Sequence, residues 1–279
     1  MAPRASASKE ALTADMFRHP VDIRATRLLR SLFGIELVLR QVLSMAEEVF
    51  YLENLSNAVL VSEKQLPDIH ELVMDSCRIL CVDQAPQVYV RNNPQPNAYT
   101  LAFKGKRPFI VLHSSLVDLM TPEELKGVIA HELGHLKCEH GVWVTMANLV
   151  VLFAQSLGGD MFSQVTDALG RQVQNWLRAA ELSCDRAGLL VVRDRQVMFS
   201  ILMKLSGGVG RGRTLDVNEY LKQIDMFEEA TKSPFGRLMR RGMTEALTHP
   251  LPILRVKELN AYADSAEFKT LVRRSQASS

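Results

Sequence analysis

The chain has few of the residues that mark a secreted or a fibrous protein. Its four cysteines are too few for a disulfide scaffold at 279 residues, so free thiols in a reducing compartment are expected. Fifteen glycines and eleven prolines exclude a collagen-like or linker-dominated chain. Aromatic residues make up only 6%, while Leu, Val, Ala and Met are plentiful, and this balance favours a helical fold.

The chain also lacks an excess of charge of either sign. Lys and Arg total 33 against 31 Asp and Glu, which gives a net charge of +2. So small an excess argues against a basic nucleic-acid-binding surface, and no nucleic-acid partner is expected. With 47% hydrophobic residues the chain can bury a large core, which excludes a disordered protein.

No secretory leader is recognisable, because no apolar run of leader length follows the small residues of 1–9. A plastid or mitochondrial transit peptide fits this segment only until Glu10 and Asp15 interrupt it. We expect residues 1–24 to form a flexible N-terminal arm. The expected compartment is cytoplasmic or organellar, plastids included, with the protein soluble or peripheral to a membrane.

One stretch leaves the membrane question open. The mean hydropathy of the chain is near zero, and the only long segment without a charged residue is 141–159. Thr145, Asn148 and Gln155 interrupt it, and no Lys or Arg cluster flanks it directly. A buried or interfacial helix is the favoured interpretation, and a membrane span is the alternative. Any membrane association is expected through this segment.

Hydrophobic periodicity predicts an α+β, mainly α fold. Apolar residues recur at helical spacing over 25–55, 67–81, 121–140, 162–205, 216–230, 235–246 and beyond Leu251. Short segments of strand character lie at 87–91, 98–104 and 108–113, and they predict a small antiparallel sheet of about three strands. Thr121 as N-cap and Glu124 three residues later predict a capping box at the start of the helix over 121–140.

That capped helix carries the motif H-E-x-x-H at His131, Glu132 and His135. Histidines four residues apart share one helix face, so both imidazoles reach a single metal ion. Glu132 lies beside them, where it can take a proton from water activated by the metal. Gly134 keeps this part of the helix slim, so another element can approach closely.

A catalytic zinc site needs a third protein ligand besides two histidines. Glu181 and Asp185 lie four residues apart on the next long helix, among small and apolar residues. A buried carboxylate needs a partner, which zinc would provide for Glu181. Asp185 can accept the second N–H of a ligand histidine and fix its tautomer. An ordinary ion pair with Arg178 or Arg186 is the alternative.

Together these motifs resemble the gluzincin metallopeptidases, specifically metallopeptidase family forty-eight, which includes the HtpX-type and CAAX-type proteases and their small soluble relatives. The zinc motif and the Ala-Glu-x-x-x-Asp-Arg-Ala-Gly sequence over 180–188 are similar to the family's two site helices. His249-Pro250 with Arg255 resembles its H-P-x-x-x-x-R segment, and Asn97-Ala98-Tyr99 resembles its edge strand. The resemblance covers roughly 85–260.

The resemblance implies a zinc endopeptidase that cleaves protein or peptide substrates by metal-activated water. One Zn²⁺ per chain would be bound by His131, His135 and Glu181, with Glu132 as the general base. His249 and Arg255 would stabilise the oxyanion and hold substrate. The strand at Asn97, Ala98 and Tyr99 would bind an extended peptide by β-addition.

The implied organisation is a single zincin-like metallopeptidase domain over 25–279. It comprises N-terminal helices over 25–84, the sheet over 85–113, the zinc and glutamate helices over 114–205, and C-terminal helices over 206–279. The resemblance is incomplete, because the family's membrane members carry several clear spans and this chain has at most one. A single-span quality-control protease stays open as an alternative, and so does a non-catalytic, zinc-stabilised scaffold or chaperone-like protein.

The remaining histidines and cysteines near the motifs are not expected to bind zinc. His140 lies nine residues after His131, about half a turn around a continuous helix, and should miss the metal. His19 and His113 are expected to be structural. Cys138 and Cys184 flank the site in sequence, but the match at Glu181 makes a thiolate ligand unnecessary.

Overall fold

The structure is a computed structural model that describes residues 12–30, 52–101, 107–145, 147, 160–209, 213, 215–245 and 249–276, with only the backbone for 160–167 and 275–276. Its named helices are α1 (Pro20–Arg30), α2 (Pro67–Leu80), α3 (Ser114–Leu119), α4 (Pro122–Lys137), α5 (Asp160–Val192), α6 (Arg195–Gly207), α7 (Val217–Ala230), α8 (Pro234–Glu245), α9 (Pro252–Asp264) and α10 (Ala266–Gln276). The strands are β1 (Ala58–Leu60), β2 (Gln87–Arg91), β3 (Ala98–Leu101) and β4 (Phe109–His113). The predicted α+β, mainly α class is confirmed.

The sheet is mixed and has four strands in the order β1-β2-β4-β3. β1 pairs antiparallel with β2, and β3 pairs antiparallel with β4, but β2 and β4 run parallel. The three predicted strands are present, but the sheet has a fourth strand, β1, and the pairing of β2 with β4 is parallel where an antiparallel sheet was predicted. β4 is buried along its whole length, as expected of a central strand. Because the chain reverses its direction between β2 and β3 and again between β3 and β4, β4 runs parallel to β2.

The N-terminal segment differs from the predicted flexible arm. A short 3₁₀ turn at Ala14–Met16 leads into α1, which begins at Pro20. Phe17 and Asp22 are completely buried, so residues 12–24 are part of the packed domain. Residues 1–11, and 31–51 of the predicted helix over 25–55, lie outside the described residues.

The long helix predicted over 162–205 is two helices. Arg193 adopts a left-handed backbone with φ of 61°, and the side chain of Asp194 accepts a hydrogen bond from the backbone N–H of Gln196. This cap starts α6 in a new direction. Most of 141–159 lies outside the described residues, and in the part of the chain that is described no helix has both the length and the apolar character needed to cross a membrane.

Helix α4 occupies the centre of the domain. Its Ile129 and Leu133 are completely buried in the main hydrophobic cluster, together with Val73 of α2 and Leu112 of β4. At Gly134 the neighbouring helix α5 comes so close that an added Cβ would lie 3.0 Å from the Cβ of Ala187. The expected close approach at this glycine is therefore present, and it brings α4 and α5 face to face at the H-E-x-x-H motif.

The start of α4 is tied to α6 by Glu124. The predicted capping box is present, because Thr121 accepts from the backbone N–H of Glu124 and the Glu124 carboxylate accepts from that of Thr121 at 2.7 Å. The same buried carboxylate accepts from Ser200 Oγ at 2.5 Å and Lys204 Nζ at 2.6 Å. Burial alone would raise the pKa of Glu124, but Lys204 and these hydrogen bonds hold it below its ordinary value.

We expect Glu124→Gln to lower the free energy of unfolding by about 3 kcal/mol, because it leaves Lys204 without its charged partner in a mostly buried site. Glu219→Gln is the matched control, since Glu219 pairs with Lys222 on the surface and such pairs contribute about 0–1 kcal/mol. Urea denaturation at neutral pH measures both.

The pKa of Glu124 is lower in the folded protein than in the unfolded chain. Its contribution to the free energy of unfolding is therefore lost as the pH falls through the folded pKa, and the stability of the wild type should approach that of Glu124→Gln in acid. Equal losses in the two variants would contradict this account.

Candidate active site

Three side chains from α4 and α5 converge on one point. His131 Nε2 lies 3.4 Å from one carboxylate oxygen of Glu181, and His135 Nε2 lies 3.4 Å from the other. Two ligand atoms bound to a tetrahedral zinc at about 2.0–2.1 Å are about 3.3–3.4 Å apart. Each histidine–glutamate pair therefore has the spacing of two ligands on one zinc ion, and two imidazoles with one carboxylate have the chemistry of a zinc site.

The charge distribution around these three residues favours a cation. Burial would lower the pKa of His131, but Asp185 and Glu181 raise it to about 10. Burial would likewise raise the pKa of Glu181, yet the hydrogen bonds from His131 and His135 hold it well below its ordinary value. A group of carboxylates that retains a proton on a buried histidine also attracts a divalent cation.

Asp185 lies behind His131, as its spacing suggested. Its Oδ1 is 3.1 Å from His131 Nδ1, so the carboxylate can accept an N–H there and leave Nε2 directed at Glu181. Burial would raise the pKa of Asp185, but the charge of Arg255 lowers it. The ion pair that Asp185 makes is thus with Arg255 and not with Arg178 or Arg186.

Arg255, on α9, holds Asp185 with two parallel hydrogen bonds. Its Nε donates to Oδ2 at 2.8 Å and its Nη2 donates to Oδ1 at 2.6 Å. The third nitrogen, Nη1, lies 3.8 Å from Glu181. These contacts do not support the expected direct role of Arg255 on an oxyanion, because the fork of the guanidinium is already occupied by a carboxylate.

His249 lies at the mouth of the site, just before α9. Its Nε2 is 3.5 Å from a carboxylate oxygen of Glu181, and its side chain is 67% exposed. The same cleft is lined by His131, Glu132 and Arg255. His249 therefore lies in the same cleft as His131 and Glu181, on its solvent side.

Glu132 is buried beside the two histidines and has a partner that the sequence analysis missed. Thr100 Oγ1, on β3, donates to Glu132 Oε2 at 2.7 Å. The sequence carries a signal for this contact. Side chains alternate along a strand, so Thr100 lies on the same sheet face as Ala98, which was predicted to face the substrate. This hydrogen bond fixes the orientation of the carboxylate.

The edge strand meets the site through two of its three predicted residues. Asn97 and Ala98 line the cleft, whereas the ring of Tyr99 lies on the other sheet face, against His113 at 6.1 Å between ring centroids. Among the described strands β3 is an edge strand. The backbone N–H of His113 donates to Asn97 O, so in the alternating ladder the backbone groups of Ala98 and Thr100 point away from β4.

His140 contacts a predicted metal ligand. Its Nδ1 lies 3.1 Å from Nδ1 of His135, so its predicted position on the opposite helix face is wrong. The prediction assumed a continuous helix, but α4 ends at Lys137 and Glu139 takes a left-handed φ of 56°. Burial lowers the pKa of His140, which favours a neutral ring.

The other histidines and cysteines near the site make local hydrogen bonds or are buried thiols. His113 bonds to Gln95 O at 2.8 Å, and His19 Nδ1 accepts from Val21 N at 3.3 Å. The sulfur of Cys184 lies within 4.8 Å of donor atoms of the two motif histidines. Burial raises the pKa of Cys184 well above its ordinary value and that of Cys138 to about 12.

A helix with two histidines and a glutamate, packed against a second helix with a glutamate and an edge strand, defines a metallopeptidase. The model of Peptidase family M48 matches residues 63–263, and the chain belongs to this family. Asp22 and the rest of α1 lie before the matched region.

Relatives of known name agree with this assignment. A chloroplastic, plastoglobule-localized metallopeptidase 48 of Arabidopsis thaliana is 46% identical over 271 residues, which cover 96% of this chain and 78% of that protein. A protease HtpX homologue of Methanosarcina acetivorans is 24% identical over 202 residues, or 63% of this chain and 68% of that one. The crystal structure of S. mikatae Ste24p shares the fold, with a TM-score of 0.52 and 16% identity over 85% of this chain and 58% of that protein.

Proposed function

We propose that the protein is a zinc-dependent endopeptidase in which His131, His135 and Glu181 hold one Zn²⁺ per chain. The observation that carries the proposal is the pair of 3.4 Å distances between the histidine nitrogens and the Glu181 carboxylate. Family membership supports metal-dependent proteolysis in general. The presence of every side chain that the chemistry needs argues against a non-catalytic scaffold.

Each remaining residue has a defined task in peptide hydrolysis. Zinc, when bound, polarises the scissile carbonyl and lowers the pKa of water. Glu132, held by Thr100, accepts the proton of the attacking water and passes it to the leaving amine. His249 donates to the oxyanion, while Arg255 positions Asp185 and, through it, His131.

The substrate is proposed to be an extended segment of protein or peptide. The outward backbone groups of Ala98 and Thr100 can pair with such a segment as an added strand, and the side chain of Thr100 contacts Glu132. A plastid location is proposed from the Arabidopsis relative, whose name places it in the chloroplast. Fluorescent tagging of the full chain in leaf cells tests this location.

Zinc analysis combined with a cleavage assay tests the proposed function. We expect one zinc per chain, cleavage of an unstructured protein such as casein, loss of cleavage on chelation, and recovery when zinc is restored. A protein that binds no zinc, or one that binds zinc and does not cleave before or after reconstitution, would overturn the proposal.

A further inference from the structure

We propose that Asp22 and His140 position His135 for zinc through a chain of hydrogen bonds. This inference rests on the proposed function, since it takes His135 as a ligand. It adds a residue of α1, a helix before the region matched by the family model, to the structure of the active centre.

The chain of contacts is continuous and buried. His135 Nδ1 lies 3.1 Å from His140 Nδ1, and His140 Nε2 lies 3.0 Å from Asp22 Oδ2. Asp22 is completely inaccessible to solvent, and His140 is nearly so. Each distance is within hydrogen-bond range.

Only one arrangement of protons on neutral rings satisfies this chain when His135 binds a metal through Nε2. A neutral His135 then carries its proton on Nδ1 and donates it to His140. His140 must accept at Nδ1, so its own proton sits on Nε2 and is donated to Asp22. The contacts between His135 and His140 and between His140 and Asp22 are then both satisfied, and the chain ends at an acceptor that carries a negative charge. The Cys184 sulfur also lies 3.6 Å from His140 Nδ1, on the nitrogen that accepts.

Asp22 is itself fixed by the helix that bears the third ligand. Trp176 Nε1 donates to its Oδ1 at 2.9 Å, and Ser183 Oγ donates to its Oδ2 at 2.7 Å. Both residues belong to α5, close to Glu181 along the chain. The orientation of His135 is therefore set relative to Glu181 and not only relative to its own helix.

The two motif histidines are thus supported in parallel ways. His131 meets the carboxylate of Asp185 directly, and His135 meets that of Asp22 through His140. A carboxylate behind a ligand imidazole fixes its tautomer and raises its basicity, and loss of such a partner typically weakens metal binding or activity by 10–100-fold. His140 and Asp22 are positioning residues, because neither reaches the cleft.

A purely structural role for the same network makes a different prediction. In that case Asp22→Asn would reduce stability and leave the zinc affinity of the folded protein unchanged. Glu124→Gln is the matched control, since it also changes a buried, hydrogen-bonded carboxylate to an amide, at the far end of α4. The two variants separate stability from metal binding.

The test measures zinc dissociation constants of the full chain by competition with a chromophoric chelator, together with kcat, KM and the visible spectrum of the cobalt-substituted protein. We expect Asp22→Asn to weaken zinc binding by about 10–100-fold and to alter the cobalt spectrum, with kcat affected more than KM. Glu124→Gln should keep the wild-type affinity and spectrum.

Two His140 variants supply a second, independent readout. His140→Ala removes the acceptor for His135, whereas His140→Asn retains an acceptor oxygen near the position of Nδ1, so we expect His140→Asn to bind zinc more tightly than His140→Ala. If Asp22→Asn does not fold, the comparison of His140→Ala with His140→Asn tests the inference on its own. Equal zinc affinity in the two His140 variants, or wild-type affinity in folded Asp22→Asn, would overturn the inference. Failure of the wild type itself to bind zinc or to cleave would overturn the proposed function instead.

Discussion

Replacing Glu132 with glutamine is expected to lower kcat by about 10²–10⁴-fold, the range supplied by a positioned general base. The amide has the size of the carboxylate but cannot accept the proton of the attacking water. The two histidines and Glu181 are untouched, so the variant should bind zinc as tightly as the wild type.

Steady-state cleavage of an internally quenched peptide, with zinc analysis of the same samples, measures this effect. Glu123→Gln is the control, because Glu123 lies on the same helix and is exposed; its activity should match the wild type. If Glu132→Gln kept most of its activity, Glu132 would not be the general base. If it lost zinc as well, the change in activity would not identify a proton-transfer role.

Glu181→Ala is expected to cause the largest loss of zinc. It removes one of the three proposed ligands, and the loss should exceed the roughly 10–100-fold that removal of a supporting partner causes. The histidines would then face a cavity without the carboxylate that both contact at 3.4 Å. Purification and dialysis should leave the variant without stoichiometric zinc and without activity.

His249→Ala provides the comparison for Glu181→Ala. His249 also lies near the metal-binding group, but we assign it to the oxyanion, so its removal should lower kcat by about 10²–10³-fold and leave zinc bound. Competition with a chelator and the peptide assay distinguish the two variants. Full retention of zinc by Glu181→Ala would remove Glu181 from the ligand set.

Local spacing accounts for the parts of this site that could be predicted. His131 and His135 share a helix face because they are four residues apart, and the same rule pairs Glu181 with Asp185. The capping box at Thr121 depends on residues three apart. Such features need no knowledge of how distant segments pack.

The parts that could not be predicted depend on long-range packing or on a single backbone turn. His140 reaches His135 because Glu139 takes a left-handed conformation, which extrapolation of a helix does not reveal. Asp22 reaches His140 from 118 residues away along the chain. The parallel pairing of β2 with β4 likewise follows from how β3 folds back, and not from the alternation within any one strand.

The most direct test of the central claim, that α4 and α5 hold one zinc between them, is anomalous scattering from a crystal measured on both sides of the zinc absorption edge. The account predicts one peak per chain, about 2.0–2.1 Å from His131 Nε2, His135 Nε2 and a Glu181 oxygen. A peak bonded to the sulfur of Cys184, or one located among Asp22, Cys138 and His140, would contradict it.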